Sequence, residues 1–183
     1  MSDDMCDITD LILDDHDWFR RRFLALDELT DPRELAEVWT PLAALLDVHA
    51  AAEEAIFYPA LIRRGDDAEA ETLDAIGDHN DIRDGVRDAA RFPVGTEEWY
   101  EAVKRARAAN SEHMAEEEDE GLADFRRNAD RGLRAELGRR FLAFKKEHEG
   151  ARGLDTGDVD PRRYVAEQEQ RARPRSADPS PGV

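Results

Sequence analysis

The chain carries one cysteine, Cys6, which excludes an intrachain disulfide, a thiolate zinc site and a cysteine-held iron–sulfur cluster. It is also short of basic charge. Lys and Arg number 26 against 44 Asp and Glu, for a net charge of −18 at pH 7. A nucleic-acid binder needs a basic footprint to neutralise phosphates, and an anionic membrane surface attracts the same sign. Neither partner suits this chain. No apolar run approaches the roughly 18 residues of a membrane span. The opening MSDDMCDITD lacks a basic stretch followed by an apolar core, so it does not read as a signal peptide. The expectation is a soluble cytoplasmic protein, and 183 residues suit one domain with a core that needs no staples.

β-Branched residues are sparse, whereas Ala, Leu, Glu and Arg abound, and that balance favours helices. Apolar spacing predicts a first helix over 7–29, with Ile8, Ile12, Phe19, Phe23 and Leu26 on the face that also holds His16. Thr30-Asp31-Pro32 breaks it. A short helix over 32–39 meets a second cap signal at Thr40-Pro41, and the second bundle helix runs on to about 64. Pro59 should kink or end that helix, because it cannot bond the Ala55 carbonyl. Gly65-Asp66-Asp67 starts a turn into a third helix over 68–92, which Pro93-Val94-Gly95 breaks. Thr96 caps a fourth helix reaching about 127, with Gly121 as a fraying point, and a fifth spans 131–148. From Gly150 onward hardly any apolar residue is left to bury, so a disordered tail is expected. The predicted fold is all-α: an up-down-up-down four-helix bundle with an added C-terminal helix over 1–149, and the tail over 150–183.

Within this pattern two short motifs occur twice. Asp15-His16-Asp17-Trp18-Phe19-Arg20 and Asp78-His79-Asn80-Asp81-Ile82-Arg83 share D-H-x-x-(apolar)-R, 63 residues apart. His49-Ala50-Ala51-Ala52-Glu53-Glu54 and His113-Met114-Ala115-Glu116-Glu117-Glu118 share H-x-A-x-E-E, 64 residues apart. Each half therefore has a lone His, then a His with a Glu one helical turn later. Residues four apart stack on one helix face, so Glu53 lies over His49 and Glu117 over His113. Counted from the helix ends in an antiparallel bundle, all four His fall on inward faces at levels agreeing within about a turn.

A lone inward His is more often a hydrogen-bonded core residue than a ligand, and one H-x-x-x-E pair is weak by itself. The repeat, the shared face and the matched level are separate coincidences. Burying four imidazoles and two carboxylates without a partner costs several kcal/mol per charged group, and a metal removes that conflict. The arrangement reads as a dinuclear site with bridging carboxylates and open positions. Its nitrogen and oxygen donors suit iron, manganese or zinc alike. Outside this set, the Glu116–Glu120 run reads as a solvated face with only Glu117 inward. Glu54 is a candidate for an outer contact. Arg20 and Arg83, one turn above the lone His residues, read as surface ion pairs, with neutralising carboxylates or polarising a bound oxidant as the alternative. Tyr58 and Tyr100 read as packing residues, and His148 as a helix-end cation.

The motifs D-H-x-W-F, H-x-x-x-E-E-x-x-F-Y-P, D-H-x-x-I-R and H-x-x-x-E-E, in this order, resemble the hemerythrin-like (HHE cation-binding) family over about residues 7–128. The resemblance implies a four-helix bundle with a non-haem diiron centre. Carried over residue by residue, its ligands are His16, His49, Glu53, His79, His113 and Glu117. Two features depart from the oxygen carriers of that family. They have a His pair four apart on the third helix, where the positions four from His79 are Ala75 and Arg83. They have an Asp five residues after the last His, where Glu117 follows His113 at four. A more open site favours reaction with peroxide, dioxygen or nitric oxide over reversible storage. No His has Glu three residues before it, which counts against a ferritin-like ferroxidase. The expected protein holds an oxo- or hydroxo-bridged iron pair, reacts with or senses small oxidants, and has weak catalase-like activity. The rival readings are an iron or redox sensor without turnover and a metal-free acidic adaptor. Its oligomeric state is open between monomer and dimer.

Overall fold

The computed structural model describes residues 6–66 and 68–172. Expectations that touch residues 1–5, Asp67 and 173–183 lie outside the described residues. Among the described residues all regular structure is helical: α1 (Ile8–Asp27), α2 (Pro32–Ala52), a π-helical turn (Glu53–Phe57), α3 (Tyr58–Arg64), α4 (Ala68–Ala89), α5 (Glu97–Asp119), α6 (Gly121–Asn128), α7 (Arg131–Glu147), a 3-10 turn (Glu149–Ala151) and α8 (Pro161–Ala172). No helix among them is long and apolar enough to cross a membrane. Side-chain caps start five of the described helices. Asp7, Asp31, Thr96, Asp130 and Asp160 accept from first-turn amides of α1, α2, α5, α7 and α8.

Neither interior proline of the second rod, Pro41 or Pro59, ends it. α2 does not divide at Pro41 but runs unbroken from Pro32. Pro41 and Glu37 are exposed, so the carbonyl that loses its partner lies on the wet side and costs little. Pro59 neither ends the rod nor breaks it. The turn before it widens to π spacing, with the Tyr58 amide bonding the Glu53 carbonyl, and α3 continues to Arg64. Such turns recur at functional sites, and this one carries Glu53. The fourth rod does break near Gly121, where Glu120 leaves helical geometry (φ −111°, ψ −80°) between α5 and α6.

Two apolar clusters fill the bundle. One joins Ile8 and Ile12 to Ile56, Phe57, Leu61, Ile76, Leu122, Phe125 and Phe141. The other joins Phe19 and Phe23 to Trp39, Leu42, Leu46, Ile82, Trp99 and Val103. α1 and α4 run from the first cluster into the second, while α2 and α5 run the opposite way. That alternation is the up-down-up-down order, and it places one His of each rod at the crossing between clusters. α4 and α5 approach closely at Gly85, where a Cβ would meet the Ala106 backbone at 2.7 Å.

The tail expectation fails for residues 150–172. α8 packs on α3 and α4, burying Val165 and Gln168. The segment before it is tied to α4 by polar contacts: Asn80 donates to the Val159 carbonyl and accepts from its amide, and Arg87 donates to the Thr156 carbonyl. Composition counts apolar residues and misses ordering that runs through hydrogen bonds to a neighbour's polar face.

Candidate metal centre

The repeated motifs deliver all six predicted residues to one place. His16 on α1, His49 on α2, Glu53 on the π turn, His79 on α4, and His113 and Glu117 on α5 are each at most 6% exposed. Imidazole rings lie edge to face around a common point, with ring centroids 5.3 Å apart for His16 and His49 and 4.6 Å apart for His79 and His113. The Nε2 atoms face inward. His49 Nε2 lies 2.9 Å from Glu53 Oε1, and His79 Nε2 lies 3.2 Å from Glu53 Oε2. His16 Nε2 lies 3.4 Å from Glu117 Oε2, and His79 and His113 bring their Nε2 atoms within 3.2 Å.

These atoms form two groups able to hold an ion, His16–His49–Glu53–Glu117 and Glu53–His79–His113. Glu53 belongs to both, one oxygen toward each. Glu117 belongs to the first alone, since the Tyr58 hydroxyl donates to its Oε1 at 2.8 Å. The expected second bridge is thus a carboxylate with one oxygen taken by a phenol.

Behind each ring stands an acid facing its Nδ1. The pairs are His16 with Glu118 (2.8 Å), His49 with Asp15 (3.0 Å), His79 with Glu54 (2.9 Å) and His113 with Asp78 (3.7 Å). The pattern follows the internal repeat. The Asp of each D-H motif backs the second His of its own half, and the second Glu of each E-E pair crosses to the lone His of the other half. A neutral ring with its Nδ1–H given to a carboxylate presents a lone pair at Nε2, the arrangement of metal-binding histidines. Arg20 and Arg83 complete the crossed pairs by donating to Glu118 and Glu54, each at 2.8 Å.

Several sequence readings change here. Glu118 is not simply a solvated residue, Arg83 is buried rather than at the surface, and Tyr58 does more than pack. Asp15 and Asp78 were given no role. The signal for them was present, because all four backing acids sit inside the repeated motifs. Arg20 does form its partly exposed ion pair, and His148 ends α7 as read, hydrogen-bonded to the Arg152 carbonyl.

Neighbouring charges set protonation in the centre. Burial pulls the His49 ring down, but attraction to Glu53 and the Asp15 hydrogen bond outweigh it and hold the ring at about 9. His113, against the same burial, is held at about 10 by Asp78, Glu53 and Glu117. Burial pushes Glu53 up, yet His49, His113 and His79 bring it well below the carboxylate range. Burial, then Glu117 and Glu53, keep the Tyr58 proton in place far above the ordinary phenol. His16 Nε2, His49 Nε2, both Glu53 oxygens and Glu117 Oε2 are buried with no hydrogen-bond partner among the described residues. Native proteins rarely leave such groups unpaired, because each costs a few kcal/mol. Here all five belong to the two adjoining donor groups that share Glu53, so bound cations fit the residues present.

The hemerythrin HHE cation binding domain matches residues 7–125. The chain belongs to that family. Searches of curated proteins and of solved structures returned no significant match. As an HHE domain the chain is a metal-binding helical bundle, and the match ends inside α6, before α7 and α8. Those two helices dress the bundle from outside. α7 lays Phe141 edge-on against the His49 ring, 6.1 Å between centroids, and sends Lys145 to Asp15. α8 sends the Tyr164 hydroxyl to the Glu54 carbonyl within the π turn.

Proposed function

We propose that this HHE domain holds two iron ions and reacts with small neutral oxidants, dioxygen, hydrogen peroxide or nitric oxide, with His16, His49, Glu53, His79, His113 and Glu117 as ligands. The single observation that supports this reading is the set of five buried, unpartnered donor atoms in two groups sharing Glu53. When bound, the iron pair supplies Lewis acidity and exchangeable electrons to such a ligand. The chain supplies the rest. Asp15, Glu54, Asp78 and Glu118 hold the ring nitrogens in the binding tautomer. Phe19 and Phe141 wall the His49 side against water, and Tyr58 keeps a proton on the phenol facing Glu117. Asymmetric use of Glu117 leaves the His79–His113 group with fewer protein donors than the other, which is where a small ligand has room.

The test joins two measurements on one sample. Elemental analysis should find about two irons per chain, with near-ultraviolet absorption of an oxo- or hydroxo-bridged pair. Hydrogen peroxide should then be disproportionated faster than by the same concentration of free iron. Zinc alone, or no metal after growth with ample iron, overturns the iron reading, and oxygen evolution no faster than free iron overturns the reactivity.

One observation favours a second reading, an iron or redox sensor without turnover. Tyr164 of α8 bonds the carbonyl of Glu54, next to the shared ligand Glu53. Occupancy of the centre would thereby reach the C-terminal helix. Metal-dependent protection of α8 from amide exchange, with no turnover of peroxide, would select this reading over the first.

A further inference from the structure

Among the described residues the centre is flanked by cations on three sides and lacks one on the fourth. Asp15 has Lys145, Glu54 has Arg83 and Glu118 has Arg20. Asp78, the repeat partner of Asp15, has no cation among the described residues. In its place a narrow cleft opens between α4 and α5 and reaches Tyr58, His113 and Glu117. Its walls carry Glu71, Asp74, Asp78, Glu116 and Glu120, and among the described residues neither Lys nor Arg lines it. A shallower depression continues outward along the same helices past Asp81 and Glu112, again without Lys or Arg among the described residues.

Acidic clusters are common on so acidic a chain, and two further observations distinguish this one. At the base of the cleft the Glu117 side chain is 3% exposed, and its Oε2 has no hydrogen-bond partner. Above it stands Gly121, where an added Cβ would lie 3.8 Å from Glu117 Cγ and 3.5 Å from Leu61 Cδ2. Any larger side chain at this position would stand over Glu117, and glycine leaves the way clear.

We propose that this cleft is the route by which divalent cations enter the centre. The inference rests on the reading of the six buried residues as metal ligands. Asp74, Glu116 and Glu120 draw in a hydrated cation, Asp78 faces it at the narrows, and Glu117 and His113 receive it. One sign of charge between low-dielectric walls focuses the field and raises the entry rate of the opposite charge by 10-fold to 1,000-fold, an effect that salt removes. On the other three sides Lys145, Arg83 and Arg20 oppose a cation's approach.

The test follows cobalt(II) uptake by the metal-free full chain, using the visible absorption of the bound ion in rapid mixing. The variant Asp74→Asn/Glu116→Gln/Glu120→Gln leaves all six ligands and Asp78 in place. It should reach the wild-type cobalt content at equilibrium, but roughly 10-fold more slowly at about 10 mM salt, where charges act over about 30 Å. Wild-type uptake should slow steeply with added salt, and uptake by the variant should not. Gly121→Leu should slow uptake at every salt concentration. Wild-type rates and wild-type salt dependence in the triple variant overturn the route. Should that variant lose its helical fold, Gly121→Leu decides alone, and uptake at the wild-type rate overturns the proposal. Failure of the wild type to bind cobalt, zinc or iron at all would instead overturn the metal centre itself.

Discussion

The two halves of the centre begin from the same motif and end in different surroundings. On the α1–α2 side His49 is backed by Asp15 at 3.0 Å, Asp15 is held by Lys145, and Phe141 covers the ring. On the α4–α5 side His113 looks to Asp78 at 3.7 Å, Asp78 is 25% exposed in its side chain, and a cleft stands where the first half has α7. An internal repeat alone would make two equivalent halves. The helix added after the repeat closes one of them, so asymmetry at the centre comes from a part of the chain that supplies none of its six donors.

The largest effect expected is on the residue both halves share. Glu53→Ala removes a donor from each group, and on the proposed two-ion reading metal content should fall from about two ions per chain to one or none. His148→Ala, outside the centre, should change nothing, and retention of two ions by the Glu53 variant would dissolve the picture of a shared ligand.

The comparison itself is sharpened by paired variants. Asp15→Asn frees a half-buried lysine and loosens the His49 ring, so metal affinity should fall about 10-fold to 100-fold, as for other outer partners of metal-binding histidines. Asp78→Asn disturbs a longer, wetter contact and should cost less. Competition with a chelator gives both constants. Equal losses would break the distinction between a closed and an open half.

Proton counts give a third test. His49 at about 9 and His113 at about 10 are raised above the ordinary histidine value of 6.5, so in metal-free protein their ionised contacts stabilise the fold. A raised folded-state value gives stability fully present below pH 6.5 and lost as pH climbs through about 9 to 10. The melting temperature of metal-free protein should therefore fall across that alkaline window. Metal binding at pH 7.5 should release about two protons, seen as a buffer-dependent binding enthalpy. A flat melting temperature between pH 7 and 10 would remove the two charged rings from the account.

The smallest effect belongs to α8. Tyr164→Phe removes one hydrogen bond to the π turn and should cost about 1 kcal/mol of stability, with metal content intact. Chemical denaturation resolves a change of that size.

Much of this architecture could be read before any coordinates. The rods, their antiparallel order and the six inward residues all follow from local rules. Helical period puts Glu53 over His49 and Glu117 over His113, and breaks at Pro32, Gly65 and Pro93 set the rod lengths that bring four His to one level. Harder to read were features whose cause lies in another element. Pro41 looked like a boundary because exposure of the Glu37 carbonyl is a tertiary fact. Arg83 looked like a surface residue because helical spacing does not show that Glu54 crosses to meet it. Residues 150–172 looked disordered because their anchors, Asn80 and Arg87, lie on α4.

By itself, then, the sequence determined an all-α bundle with two repeated His–Glu motifs facing inward, since period, capping and chain breaks act over a few residues. Only the tertiary structure decided which acid backs which ring, that Glu53 is shared while Glu117 gives one oxygen to Tyr58, and which half lies open. Those outcomes turn on distances of a few ångströms between residues far apart in the chain, 102 positions for His16 and Glu118 and 130 for Asp15 and Lys145. Such proximities arise only when the packed rods have settled against one another.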